Sequence, residues 1–200
     1  MNWQEILAAA ATLFFIMDPL GNVPIFNSIL ARFDSRRRAQ IVARELCFAL
    51  VILFVVLFTG NAILGFMGIS ESSLSIAGGI LLFIIALKMI FPVTKKASEE
   101  EVIEDPFLVP LAIPMVAGPS TIAVLLLLSS GSPEKMTQWS IALLLAWGTT
   151  TVLLVSSPFL MRFLGERGSR ALERLMGMML VILATQMLLN GVRDFIESLA

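Results

Sequence analysis

The chain has 200 residues, of which 58% are hydrophobic and 14% charged, with 14 Lys and Arg against 15 Asp and Glu. A soluble domain carries about a quarter charged residues, so this composition excludes a water-soluble globular protein and leaves an integral membrane protein. The near-zero net charge gives no electrostatic reason to expect nucleic acid. The lone Cys47 excludes an internal disulfide, a CxxC pair and a cysteine zinc site, and the lack of His removes the commonest metal ligand and the usual general base. No metal and no cofactor is expected.

A helical span needs about 20 largely apolar residues. Continuous apolar runs, rather than alternating ones, favour helices over a barrel. The first run covers residues 5–28. It is too long for a cleaved signal and has no basic leader or small-residue cleavage site. Inside it stands "MDPLGNVPIF", Met17 to Phe26, with Asp18, Pro19, Gly21, Asn22 and Pro24 close together. A proline inside a helix costs roughly 3 kcal/mol, and a carboxylate at mid-bilayer depth costs about 3 kcal/mol more. Freed backbone groups there must face protein or a wet cavity. The spacing therefore predicts a helix broken around Gly21. Asp18 would carry a proton or pair with an ammonium group, and Asn22 would offer both a donor and an acceptor.

The second span is read at 41–66, after the basic loop "ARFDSRRRAQIVARE", and the third at 73–92, where Lys88 would snorkel to the surface. A polar linker of about 93–106 follows. The fourth span, 107–128, holds "VPLAIPMVAGPSTI" (Val109–Ile122), with Pro114, Gly118 and Pro119. A break around Gly118 would start a new half-helix with Ser120 and Thr121 in its first turn. Free N–H groups and a positive dipole end there would suit a carboxylate. With Asp18 as an ammonium partner, the pair would suit a zwitterion. The bland alternatives are packing kinks at the prolines and Asp18 as a simple cap on the half-helix after Pro19. The fifth span is read at 138–161, where Thr149–Thr151, Ser156, Ser157 and Pro158 could bond the backbone or kink it. The sixth is read at 172–192, with Gln186 polar and deep enough to line a path.

Charge orders these spans. Arg32, Arg36, Arg37, Arg38, Arg44, Lys95, Lys96, Arg162, Arg167, Arg170 and Arg174 fall on one side, against Lys135 and Arg193 on the other. Basic loops stay in the cytoplasm, so both termini are expected to face outward.

The halves also repeat. "GILLFIIALKMI" (Gly79–Ile90) aligns with "GMMLVILATQML" (Gly177–Leu188), and Phe66–Gly68 aligns with Phe163–Gly165. Pro19 and Pro24 share their spacing with Pro114 and Pro119, and Lys88 falls opposite Gln186. A repeat of three spans must enter the membrane from the opposite side the second time. The expected fold is thus one all-α membrane domain over 1–200. It comprises six transmembrane helices in two inverted three-helix repeats, about 1–92 and 107–200, with helices one and four broken near the midplane. Inverted repeats are a construction many secondary transporters share.

An enzyme is not expected. Dithiol transfer needs two cysteines, an intramembrane aspartyl protease needs a second aspartate, and a serine protease would lack a His base. A non-transporting regulatory or scaffold protein is the other alternative, and it would not need Asp18.

"MDPLGNVPIF", "GGILLFIIALKMIFP", "VPLAIPMVAGPSTI", "LLLAWGTT" and "LERLMGMMLVILATQMLLNGV" together resemble the MarC family of bacterial inner-membrane proteins. The likeness covers nearly the whole chain; Thr94–Asp105 and Ser129–Gln138 look individual. The resemblance implies six helices in one domain, resident in the plasma membrane. It also implies a LysE-type transporter of small neutral amino acids, coupled to H⁺ or Na⁺, in contact with the bilayer. Export of another small metabolite and assembly as a homo-oligomer stay open.

Overall fold

The structure, a computed structural model, describes residues 2–30, 33–91 and 116–199. Among them every regular element is helical, and five stretches are long and apolar enough to cross a membrane. The linker expected at 93–106, Lys95, Lys96, Pro114 and the first part of the fourth span lie outside the described residues.

The first span is two helices, α1 (Trp3–Met17) and α2 (Pro19–Leu30). The Asn2 side chain starts α1 by accepting from the Gln4 N–H at 3.1 Å, and Glu5 in the first turn suits the positive helix end. Its buried residues Ile6, Ala9, Ala10, Leu13, Ile16 and Met17 repeat every three to four positions and form one inward stripe. The break falls at Asp18, three residues before the expected Gly21. Pro24 does not interrupt the chain either. It lies inside α2 and forfeits only the N–H bond that would reach the carbonyl of Leu20.

Helix α3 (Ser35–Met67) runs for 33 residues, about 50 Å at the usual rise, so it starts earlier than the expected 41. Arg is a good helix former and no Gly or Pro interrupts the basic run, so the helix continues out of the bilayer through it. It stops at Gly68, whose φ of 63° is a left-handed cap. Ser70 accepts from the Ser73 N–H at 3.2 Å and opens α4 (Glu71–Ile90).

In the second half the described helices are α5 (Pro119–Gly131), α6 (Met136–Val155) and α7 (Ser157–Glu197), with a single 3₁₀ turn at Pro133–Lys135 before α6. The fifth span ends at Val155, not at the expected 161. The Ser156 hydroxyl donates to the Val152 carbonyl at 2.6 Å, and Pro158 is tolerated only in the first turn of a new helix. The stretch read as a loop, 162–171, is helical apart from Gly165, whose backbone (φ 63°, ψ 178°) only glycine adopts readily.

Helices α4 and α7 form the most extensive contact in the molecule. Low numbers of one meet high numbers of the other: the Ser75 hydroxyl donates to the Met187 carbonyl at 2.9 Å, so the two run antiparallel. Glycine lets them touch. A Cβ at Gly79 would lie 3.0 Å from the Ala184 carbonyl and 2.9 Å from Leu188, and one at Gly177 would lie 3.1 Å from the Ala86 carbonyl and 2.9 Å from Ile90. Around this pair, α2 packs on α7 and α5 packs on α4, while α1 lies along α6 and α5 along α3. Phe48, Val51, Val55 and Phe58 form an exposed stripe on α3, and the same holds for Ile80 and Ile84 on α4 and Ile182 and Leu189 on α7. Water would not tolerate such faces; lipid does.

Candidate functional site: two helix restarts

A proline stands at the first position of two helices, Pro19 in α2, directly after α1, and Pro119 in α5. A proline at that position gives up an N–H that no helix would have used. Pro114, matched to Pro19 by spacing, lies outside the described residues. The surroundings of the two restarts differ.

At the first restart the chain turns on Asp18, the sole described non-glycine residue with positive φ (φ 43°, ψ 59°). Asp tolerates this conformation because its short side chain bonds locally. Here its N–H donates to the Phe14 and Phe15 carbonyls at 3.1 and 3.2 Å, closing α1. Its Oδ1 accepts from the Gly21 N–H at 3.1 Å, and its carbonyl accepts from the Asn22 N–H at 3.1 Å. Asn22 returns the favour: its Nδ2 donates to the Met17 carbonyl at 3.0 Å, satisfying an acceptor at the end of α1. Asp18 thus caps α2 and Asn22 caps α1, which meets the demand that no freed backbone group face lipid.

Gly21 is inside α2 for a reason other than a break. A Cβ there would lie 2.8 Å from Cγ of Asp18 and 2.9 Å from Cε of Met89 on α4. Only glycine lets the carboxylate fold back over the first turn. Asp18 is half-buried and Asn22 is 9% exposed, so both lie within the protein rather than toward lipid.

At the start of α5 no side-chain cap bond is present among the described residues. Gly118 (φ −67°, ψ 166°) is the residue before the helix and has no side chain to bond the first N–H groups. Its carbonyl accepts from the Ile122 N–H at 3.0 Å, the first bond of α5. Ser120 and Thr121 are buried at 4% and 1% exposure, with Val116 and Ala117 buried just before them. The structure thus groups Asp18, Gly21 and Asn22 at one restart, and Gly118, Ser120 and Thr121 at the other. Helix α1 packs on α5. Gln186 stands apart. It is exposed on α7 and donates to Oδ1 of Asn190 at 2.9 Å, one turn on.

Two neighbours of the site were expected from sequence only to bond the backbone or kink the fifth span. Thr150 on α6 is fully buried and its Oγ1 lies 3.8 Å from the sulfur of Met17. The Thr151 hydroxyl is buried without a hydrogen-bond partner in the described residues. The run of three threonines in span five was the available signal, but a threonine in a membrane helix usually bonds its own backbone, as Thr149 does to the Leu145 carbonyl at 2.9 Å. No three acidic or cysteine side chains converge as a metal site among the described residues.

The chain matches the description "MarC family integral membrane protein" over residues 3–196. It is 53% identical over 195 residues to the UPF0056 inner membrane protein YhgN of Escherichia coli strain K12, covering 97% of this chain and 99% of that one. A UPF0056 membrane protein of Buchnera aphidicola subsp. Baizongia pistaciae is 47% identical, with 96% and 98% covered. One from Methanocaldococcus jannaschii is 32% identical over 201 residues, again with 96% and 98% covered. No solved structure matches the chain. A helical protein with five membrane-crossing stretches, matched end to end by these relatives, belongs to the MarC family of integral membrane proteins.

Proposed function

We propose that the protein is a secondary transporter of small neutral amino acids, coupled to H⁺ or Na⁺, built as two inverted three-helix repeats. The observation that carries this reading is a pair of proline-led helix starts, Asp18–Pro19 after α1 and Gly118–Pro119 at the head of α5, each flanked by buried polar side chains. Discontinuous helices at matched positions are where transporters of this construction bind solute. The uncapped start of α5 offers N–H groups to a carboxylate, with Ser120 and Thr121 beside them. Asp18 supplies the negative charge for the ammonium group or for the coupling ion.

Three features support the inverted repeat. Residues 98 apart exchange partners, since Gly79 meets Ala184 and Leu188 while Gly177 meets Ala86 and Ile90. Gly68 and Gly165, matched in the repeat, both have φ of 63°. Helices α1 and α6 run in the same direction, because Glu5 near the start of one pairs with Lys135 before the other at 2.7 Å and Met17 meets Thr150 further along. That is the direction a 3+3 inverted topology requires of its first and fifth spans.

The basic residues put the Arg36–Arg38 end in the cytoplasm and both termini in the periplasm. The E. coli relative is named as an inner membrane protein, and the same membrane is proposed here. A reporter active only in the cytoplasm, fused after Ala200, should stay silent.

The deciding experiment is flux of labelled glycine or alanine through purified protein in liposomes, with and without a proton or sodium gradient. Gradient-dependent flux is expected. Its absence for every small neutral amino acid would overturn the substrate assignment. A protein with no flux of any solute would be the scaffold that the intramembrane carboxylate argues against.

A further inference from the structure

At the basic end of the molecule a cleft of about 260 Å³ opens between the start of α3 and the junction of α6 with α7. Its lining is two-faced. Arg38 brings a guanidinium, and Arg36 and Arg37 are exposed on the same helical turn. The floor is apolar: Val42 and Leu154 are buried at 1% and 0% exposure. The cleft lies where two membrane stretches end, since Arg36 begins one and Val155 closes another. It is therefore at headgroup depth, on the side where the basic residues gather.

The rim adds a second feature. Ser157–Leu164 is a short helical segment set off from the rest of α7 by Gly165. Phe159, which lines the cleft, and Phe163 one turn later are 74% and 83% exposed, with Arg162 exposed beside them. Large aromatic side chains next to arginine on one short helix are the pattern of a segment lying in the interface, rings toward the acyl chains and cations toward phosphate. A free anion would need the guanidinium but not the apolar floor or the phenylalanines. A neutral lipid would need the floor but not the arginines.

We propose that this cleft is a binding site for an anionic phospholipid, its phosphodiester beside Arg38 and its chain against Val42, Leu154 and Phe159. Basic pockets between membrane helices on this side are suited to such headgroups by charge and depth. The site is separate from the helix restarts and stands whether or not the protein transports amino acids.

The test uses purified full-length protein in a mild neutral detergent, titrated with short-chain phosphatidylglycerol, short-chain phosphatidylcholine or inorganic phosphate. Binding is read by thermal shift and by native mass spectrometry. Phosphatidylglycerol should raise the melting temperature and remain bound, while the other two at equal concentration should not. Arg38→Gln should weaken phosphatidylglycerol binding about five-fold, the size of one basic residue's attraction to an anionic headgroup. Ala39→Glu, which places a carboxylate on the cleft wall, should weaken it further, and Arg193→Gln at the opposite end should change nothing. An equal response to phosphatidylcholine would overturn the charge selectivity. An equal response to inorganic phosphate would reduce the cleft to a simple anion site. Unchanged affinity in both Arg38→Gln and Ala39→Glu would remove the cleft from lipid binding altogether.

Discussion

The two restarts begin alike and are finished differently. Each has a proline at the first position of the new helix, but the first is closed by its own side chains and the second is not. Asp18 and Asn22 exchange caps across the first break at 3.1 and 3.0 Å, whereas Gly118 contributes no side chain to the start of α5. Helix N–H groups left without a cap inside a membrane protein are costly unless water or a ligand meets them. The first restart is thus a preformed structural unit that holds a carboxyl group. At the second, Gly118 supplies no side-chain cap, and Ser120 and Thr121 are buried in the first turn.

Replacing Asp18 tests this contrast hardest. Asp18→Asn keeps an oxygen for the Gly21 N–H and a residue that tolerates positive φ, so thermal stability should change by less than about 1 kcal/mol. If the charge carries the coupling ion or the ammonium group, gradient-driven flux in liposomes should fall to background. Full activity in this variant would leave Asp18 as a cap and nothing more.

Gly21→Ala should come next in size. The new methyl meets the Asp18 carboxylate and Met89, so either the cap opens or α2 shifts from α4. A cost of about 1–3 kcal/mol is expected, the range for overpacking a tight contact. Transport should drop with it, because the displaced group is the carboxylate itself. Chemical denaturation in detergent and liposome flux measure the two effects separately.

Gly118→Ser turns the second restart toward the likeness of the first. A serine oxygen can take an N–H of α5, so stability should rise or hold within a few tenths of a kcal/mol. The same oxygen competes with a substrate carboxylate, and KM for the amino acid should rise roughly tenfold, the loss of one hydrogen bond to a charged group. An unchanged KM would move the carboxylate site away from α5.

The smallest effect is expected at Thr150, whose hydroxyl donates to the Met17 sulfur at 3.8 Å. Thr150→Val should cost about 0.5–1.5 kcal/mol in thermal unfolding and leave flux within about twofold. A large loss of flux would make α6 a wall of the site.

Much of this was readable because lipid is an undemanding solvent to predict against. Any run of about 20 apolar residues must be a span, so five of the six expected spans correspond to membrane-crossing stretches in the described residues. The existence of a break near Asp18 was legible for the same reason, since a proline and a carboxylate at that depth need a justification. Its location was not. Gly21 drew attention as the flexible residue, yet the chain turns at Asp18, because Pro19 prefers a first helical position and Asp can bond its own neighbours in the left-handed conformation. Pro24 was read as a second breaker, but an established helix can absorb one missing bond.

The sequence alone determined what its composition and chain-local chemistry dictate. A membrane protein, five of its spans, the matched glycines Gly79 and Gly177 and the helix starts at Pro19 and Pro119 were all present in it. Which residues meet across the fold was decided only by tertiary packing. That Met89 confines Asp18 over Gly21, that Thr150 reaches Met17 and that Gln186 turns outward to Asn190 follow from how α4, α6 and α7 settle around the broken helices. In a bilayer the apolar faces of helices are nearly equivalent to one another and to lipid. Hydropathy therefore places a helix in the membrane, while close packing of small residues and satisfaction of the backbone choose its neighbours.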